Sequence, residues 1–168
     1  MKKHLIVALA LAAAICTSGC GKRQQTYVTP GGNVTVKTGG GQQTTEYQTK
    51  EGTAKVTTGQ KGPITEAELG VPVYPGATVE TTVQAQGMPS AGGKSVEVHN
   101  LSTTDSFDKV AEFYKSKLKK AQSNIVQGQG GQNMAMFTME QGKTSIMVHV
   151  MADKDAGKTT INVTKGEK

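Results

Sequence analysis

The sequence predicts an α+β fold: a two-layer domain in which one long helix lies across one face of an antiparallel sheet. The expected order is strand, strand, helix, strand, strand, strand. Three observations carry this. Residues 105–121 place Phe107, Val110, Ala111, Tyr114, Leu118 and Ala121 at helical spacing on one face. Residues 79–86, 96–99, 133–140, 144–151 and 159–165 alternate between side-chain types with the period of a strand. The links at 140–143 and 153–157 are short and turn-like, so the last three strands form an antiparallel meander.

The ordered domain is expected over 63–168. Thr65-Glu66-Ala67-Glu68 is a capping box, in which the Thr65 hydroxyl and the Glu68 carboxylate satisfy each other's backbone amides. Gly70 and Pro72 limit that helix to about one turn. Tyr74-Pro75-Gly76-Ala77 then makes an extended lead-in with a Pro-Gly turn. Val79, Thr81, Val83 and Ala85 are expected on one side of the first strand. Val96 and Val98, alternating with Glu97 and His99, form its hairpin partner. Asp105 is the expected N-cap of the long helix, whose C-terminal half carries Lys115, Lys117, Lys119 and Lys120, where cations suit the dipole.

Ahead of the domain, residues 20–62 are rich in Gly, Thr and Gln and hold no Leu, Ile, Met or Phe. Such a stretch buries too little apolar surface to offset chain entropy and reads as a tether. Within it, residues 33–38, 44–49 and 53–58 alternate weakly and are each followed by Gly within three residues, as three short polar strands would be. The charge is uneven. Residues 20–64 carry +4, whereas 65–168 hold eleven charges of each sign. A neutral domain excludes nucleic acid as a partner. Lys22 and Arg23 are placed to touch anionic headgroups.

The N-terminus implies a membrane surface. Lys2 and Lys3 precede an apolar run from Leu5 to Ile15, then Thr17-Ser18-Gly19-Cys20, the layout of a secretory signal over residues 1–19. The apolar run is too short to span a bilayer. This segment resembles the lipobox signals of bacterial lipoproteins. The resemblance implies cleavage between Gly19 and Cys20, and a diacylglycerol on the Cys20 thiol. Cys16 is the poorer candidate, because bulky Ile15 stands where a small residue is wanted. In Gram-negative lipoproteins an Asp after the cysteine tends to retain the protein at the inner membrane. Gly21 in that place implies the outer membrane. Tyr74-Pro75-Gly76-Ala77 and residues 113–118 also resemble modules of other small bacterial lipoproteins, a likeness that implies a fold and not a function.

No catalytic motif survives inspection. The Gly-Lys-Ser of residues 93–95 lies one residue out of P-loop spacing and ahead of a strand. There is no Gly-x-Ser-x-Gly elbow and no His-Glu-x-x-His. His99 and His149 have Glu97 and Asp153 as candidate dyad partners, with no nucleophile fixed beside them. A soft-metal site is the sharper alternative. Met147, His149 and Met151 alternate on one face of a strand, Met134 and Met136 share a face of the preceding one, and thioether with imidazole suits Cu(I). Against this, Met also fills irregular packing space. The expectation is therefore a lipid-anchored cell-envelope protein with a non-catalytic binding or scaffolding domain, no cofactor beyond the lipid, and an envelope protein as partner. A copper-binding periplasmic protein is the alternative.

Overall fold

The computed structural model describes residues 22–59, 63–87, 94–127, 133–153 and 156–168. The strands are β1 (Arg23–Thr29), β2 (Gly32–Gly39), β3 (Gln42–Thr49), β4 (Thr53–Gly59), β5 (Thr78–Gln86), β6 (Val96–Thr103), β7 (Gln122–Gln127), β8 (Asn133–Gln141), β9 (Thr144–Asp153) and β10 (Lys158–Glu167). Two helices, α1 (Glu66–Leu69) and α2 (Phe107–Lys117), complete the described elements. All ten strands form one antiparallel sheet in the order β1-β2-β3-β4-β5-β6-β10-β9-β8-β7.

This corrects the expected α+β class. The fold is dominated by its sheet, and the helix read over 105–121 is eleven residues long. Three physical reasons account for the difference. The chain leaves helical geometry at Leu118 (φ −98°, ψ 53°), the last apolar position of the stripe before Ala121. Lys119 and Lys120 then occupy a turn closed by Ala121 N–H donating to the Leu118 carbonyl at 2.9 Å. Beyond it, Gln122–Gln127 pairs with β8 as an edge strand, hidden in the sequence because its two apolar residues, Ile125 and Val126, are adjacent and do not alternate. Finally, the Thr- and Val-rich runs before residue 60 do not need Leu or Phe to form strands. β5 templates β4 through six paired positions, and Thr hydroxyls bridge strands at Thr26–Thr35 (3.1 Å) and Thr44–Thr57 (3.2 Å). Gly40 and Gly41 (φ 61° and 76°) supply the two positive φ values that a tight two-residue hairpin between β2 and β3 requires.

Other expectations hold locally. The capping box on α1 is complete, with Glu68 N–H donating to Thr65 Oγ1 (3.3 Å) and Thr65 N–H donating to Glu68 Oε2 (2.9 Å). The hairpin β5–β6 and the meander β8–β9–β10 form as read. The α2 N-cap is Ser106 instead of Asp105. Asp105 has a different use: its carboxylate accepts from the Tyr74 hydroxyl at 2.8 Å and from Lys109 Nζ at 3.3 Å.

The core lies between the helices and one face of the sheet. Phe107, Val110, Ala111 and Tyr114 of α2, with Leu118 just past its end, meet Leu101, Phe137, Ile146, Val148, Val150, Ile161 and Val163. Tyr74 and Phe113 stack edge to face at 5.1 Å, as do Phe113 and Tyr114. α1 closes the same side, since Leu69 is buried and Lys165 Nζ donates to the Glu68 carbonyl at 3.1 Å.

The Tyr74–Asp105 bond ties the lead-in to the start of α2 and makes stability pH-dependent. Asp105 is held below the ordinary carboxyl range, first by the Tyr74 hydroxyl and then by Lys109. A carboxyl depressed in the folded state adds stability above its unfolded pKa and loses it as pH falls through the folded value. Asp105→Asn is therefore expected to flatten the acid limb of stability below about pH 4. Urea midpoints between neutral and strongly acid pH measure it, and parallel limbs for the two proteins would refute it.

Candidate functional site

The two faces of the sheet have opposite character at its two ends, and a bulge in β5 sets the relation. Strict alternation would put Val79, Thr81, Val83 and Ala85 on one side. The register shifts between Val79 and Thr81, so Val79 pairs with Leu101 on the helix side while Thr81, Val83 and Ala85 turn to the other. The extra residue, Glu80, accepts from Ser102 Oγ at 2.6 Å and faces Lys158 Nζ at 3.6 Å. On β6, Val96 and Val98 follow to the helix-free side, and His99 and Leu101 point into the core.

Three cross-strand rows then line up on the helix-free face. One runs Gln25, Val36, Thr45, Val56, Val83, Val98, Thr164, Met147, Thr138 and Gln122. The next begins Tyr27, Val34, Tyr47, Ala54, Ala85 and Val96, and ends at Ser145 and Glu140. The third starts at Arg23 and passes through Asn100, Asn162, His149 and Met136 to Asn124. Across these rows the only acidic or permanently cationic side chains are Arg23 and Glu140, and not one residue is buried. Tyr27 is 53% exposed, Tyr47 41% and Met134 39%. The sequence signal for this face was present in the Thr/Val alternation of residues 33–58. Its continuation across β5 was not, because the bulge inverts the parity.

The sequence-predicted residues fall as follows. Met134, Met136, Met147, His149 and Met151 all lie on the helix-free face, half-buried apart from exposed Met134. Met136 stands directly opposite His149, and Met134 opposite Met151; Met147 faces Thr138. His99 is not with them: it lies on the other face, on β6, with β10 between it and β9. Among the described residues no three His, Cys, Asp or Glu side chains converge as metal ligands. Lys22 and Arg23 are exposed and line, with Lys37, Thr38 and Gln42, a depression of about 340 Å3 at the β1 edge. Lys37 is paired there with Glu46 at 3.0 Å. Gly19 and Cys20 lie outside the described residues, as does the whole signal segment. No helix among the described residues is long and apolar enough to cross a membrane.

His99 does meet Glu97, one of its expected dyad partners, with Nε2 at 3.1 Å from Oε1, and its Nδ1 lies 3.2 Å from Thr82 Oγ1. Hydroxyl, imidazole and carboxylate in series have the connectivity of a hydrolase triad. Access decides against that use. Thr82 is 4% exposed and His99 1%, so a substrate has no approach to the hydroxyl. Glu97 is further held by Gln84 (2.8 Å) and Lys165 (3.5 Å). The chain of contacts is a buried polar strut where the apolar core gives way to the polar helix-side surface of β3 and β4. His149 and Asp153, two residues beyond Met151 on the same strand, have no such arrangement.

A depression of about 400 Å3 at the ends of β3 to β6 is bordered by Tyr47, Ala54, Ala85 and Val96 of the apolar row and by Glu46, Lys55, Gln84 and Glu97 of the other face. It is open, and it continues the apolar row without enclosing a ligand chamber.

A family model described as START domain-like matches residues 79–158, from the bulge of β5 to the start of β10. The match covers less than half of the 168 residues and is a similarity, not a membership. No curated protein matches the chain, and neither does any solved structure.

Proposed function

We propose that this protein is a lipid-anchored bacterial cell-envelope component whose domain is a non-catalytic binding module, with the helix-free face of the sheet as its contact surface. The lipid sits on Cys20, and the domain faces the periplasm or exterior, at the outer membrane in a Gram-negative cell. The observation that carries the reading is the face itself. It runs across a sheet roughly 43 Å wide at ordinary strand spacing, it is built largely of Val, Thr, Met, Tyr and Asn, and its charged side chains stand at the margins, at Arg23, Glu80, Glu140, Asp153 and Lys158. A surface of that size with an uncharged, Val- and Tyr-bearing centre marks an interaction site. Being open and broad, it suits another protein, since stable interfaces take about 800 Å2 from each partner. The START domain-like similarity supports a binding module over an enzyme.

Photo-crosslinking in cells tests it. A photoreactive residue at position 98 is expected to yield a discrete adduct with one envelope protein, and Val83→Glu, directly opposite, is expected to abolish it. A probe at Lys109, exposed on α2, is expected to yield none. No adduct from position 98, or one that survives Val83→Glu, would overturn the reading.

A further inference from the structure

We infer that Met134, Met136, His149 and Met151 form a binding site for copper(I). The inference goes beyond the docking surface, with which it shares the helix-free face, and rests on separate observations. It starts from register. Met136 is the direct cross-strand partner of His149, and Met134 that of Met151. Two positions separate His149 from Met151, and Met134 from Met136, so the four side chains occupy the corners of one block on one face. Directly opposed Cβ atoms lie about 5 Å apart and same-face neighbours along a strand about 7 Å. Each Cβ is then roughly 4 Å from the centre of the block, within the reach of a Met or His side chain.

The donor set selects the ion. Three thioethers and one imidazole are soft to borderline ligands, with no carboxylate or thiolate among them. Such a set suits Cu(I) and does not suit the hard divalent cations. Met has three side-chain torsions and can turn its sulfur inward without moving the strand. His149 supplies the second observation. Its Nε2 is buried and has no hydrogen-bond partner, although polar atoms so placed in folded proteins are nearly always bonded. The groups around it are Met136 opposite on β8, Asn162 opposite on β10, and Met147 and Met151 on its own strand. Of these the thioethers are poor acceptors. A metal ion that accepts the Nε2 lone pair and is shared with the three sulfurs satisfies this nitrogen. The block is half-buried, with Met134 39% exposed as its outermost member, which leaves an entry path. Met147 faces Thr138 and lies outside the block, although the sequence alone groups it with His149 and Met151.

The test is an anaerobic Cu(I) titration of the full chain, purified from membranes in detergent, against a chromogenic Cu(I) chelator. One equivalent is expected to bind. Met136→Leu and His149→Asn are each expected to weaken binding about tenfold or more, equivalent to ~1.4 kcal/mol, while Met147→Leu leaves it unchanged. Leu matches Met in volume, so the strand is kept. X-ray absorption of the loaded protein is expected to show sulfur in the first shell, with one nitrogen donor lost in the His149 variant. Failure of the wild-type chain to compete for Cu(I), equal weakening by Met147→Leu, or a first shell without sulfur would each overturn the assignment. Loss of the metal site leaves the crosslinking result from position 98 unaffected, so the two readings fail separately.

Discussion

Replacing Cys20 by alanine is expected to move the protein from the membrane fraction to the soluble fraction. A diacylglycerol thioether buries two acyl chains at ~0.8 kcal/mol per methylene, enough for durable attachment, whereas one chain alone holds only marginally. Without the thiol no chain is attached. What remains is the attraction of Lys22 and Arg23, exposed at the start of β1, to anionic headgroups. That is worth ~1 kcal/mol for each charge near the surface, and salt screens it within about a Debye length. Fractionation before and after a high-salt wash measures the effect, and mass spectrometry of the N-terminal peptide identifies the modification. Cys16→Ala is expected to change neither. A Cys20→Ala protein that stays on washed membranes, or a Cys16→Ala protein that leaves them, would show that the anchor lies elsewhere.

Phe137→Ala is expected to cost about 3–5 kcal/mol of folding stability. Phe137 is 1% exposed, centred on the helix side of β8 and 6.2 Å from the Tyr114 ring. Its neighbours belong to a rigid sheet on one side and to α2 on the other, so the cavity has little room to collapse. Domains of this size hold only ~5–15 kcal/mol in all, and the substitution removes a large share. Met136→Ala, one position away on the same strand, is expected to cost about 1 kcal/mol or less, because its side chain lies half-buried on the face without helices. Urea midpoints at constant slope separate the two. Equal losses would mean that the helix-free face carries as much of the packing as the core.

The contrast between adjacent residues of one strand shows what was legible. Ile146, Val148 and Val150 alternate with Met147, His149 and Met151 along one strand, and the first three are buried as that alternation requires. The helix stripe from Phe107 to Leu118 was likewise readable, because it depends on local periodicity. The end of α2 was not, since Leu118 continues the pattern and only the backbone turn at Lys119 and Lys120 stops it. Strand β7 was invisible for the same kind of reason: Gln-Ser-Asn-Ile-Val-Gln has no alternation, and its pairing is dictated by β8. The bulge at Glu80 inverted the expected side of Val83, and with it the course of the apolar face. Tyr74 and Asp105 are 31 residues apart, so no spacing rule connects them.

Local sequence was enough to tell which side chains share a face in the strands without a bulge, where the short turns of the meander fall, and that Met147, His149 and Met151 stand together. These are consequences of a two-residue repeat and of local turn chemistry. The tertiary structure alone decided that His149 meets Met136, that Met147 is left out, that His99 lies on the far side, and that the Thr-rich strands extend the sheet. Such relations depend on register between strands distant in the chain. Register follows from how the core packs and where a bulge adds one residue, and neither is recorded in any local window of sequence.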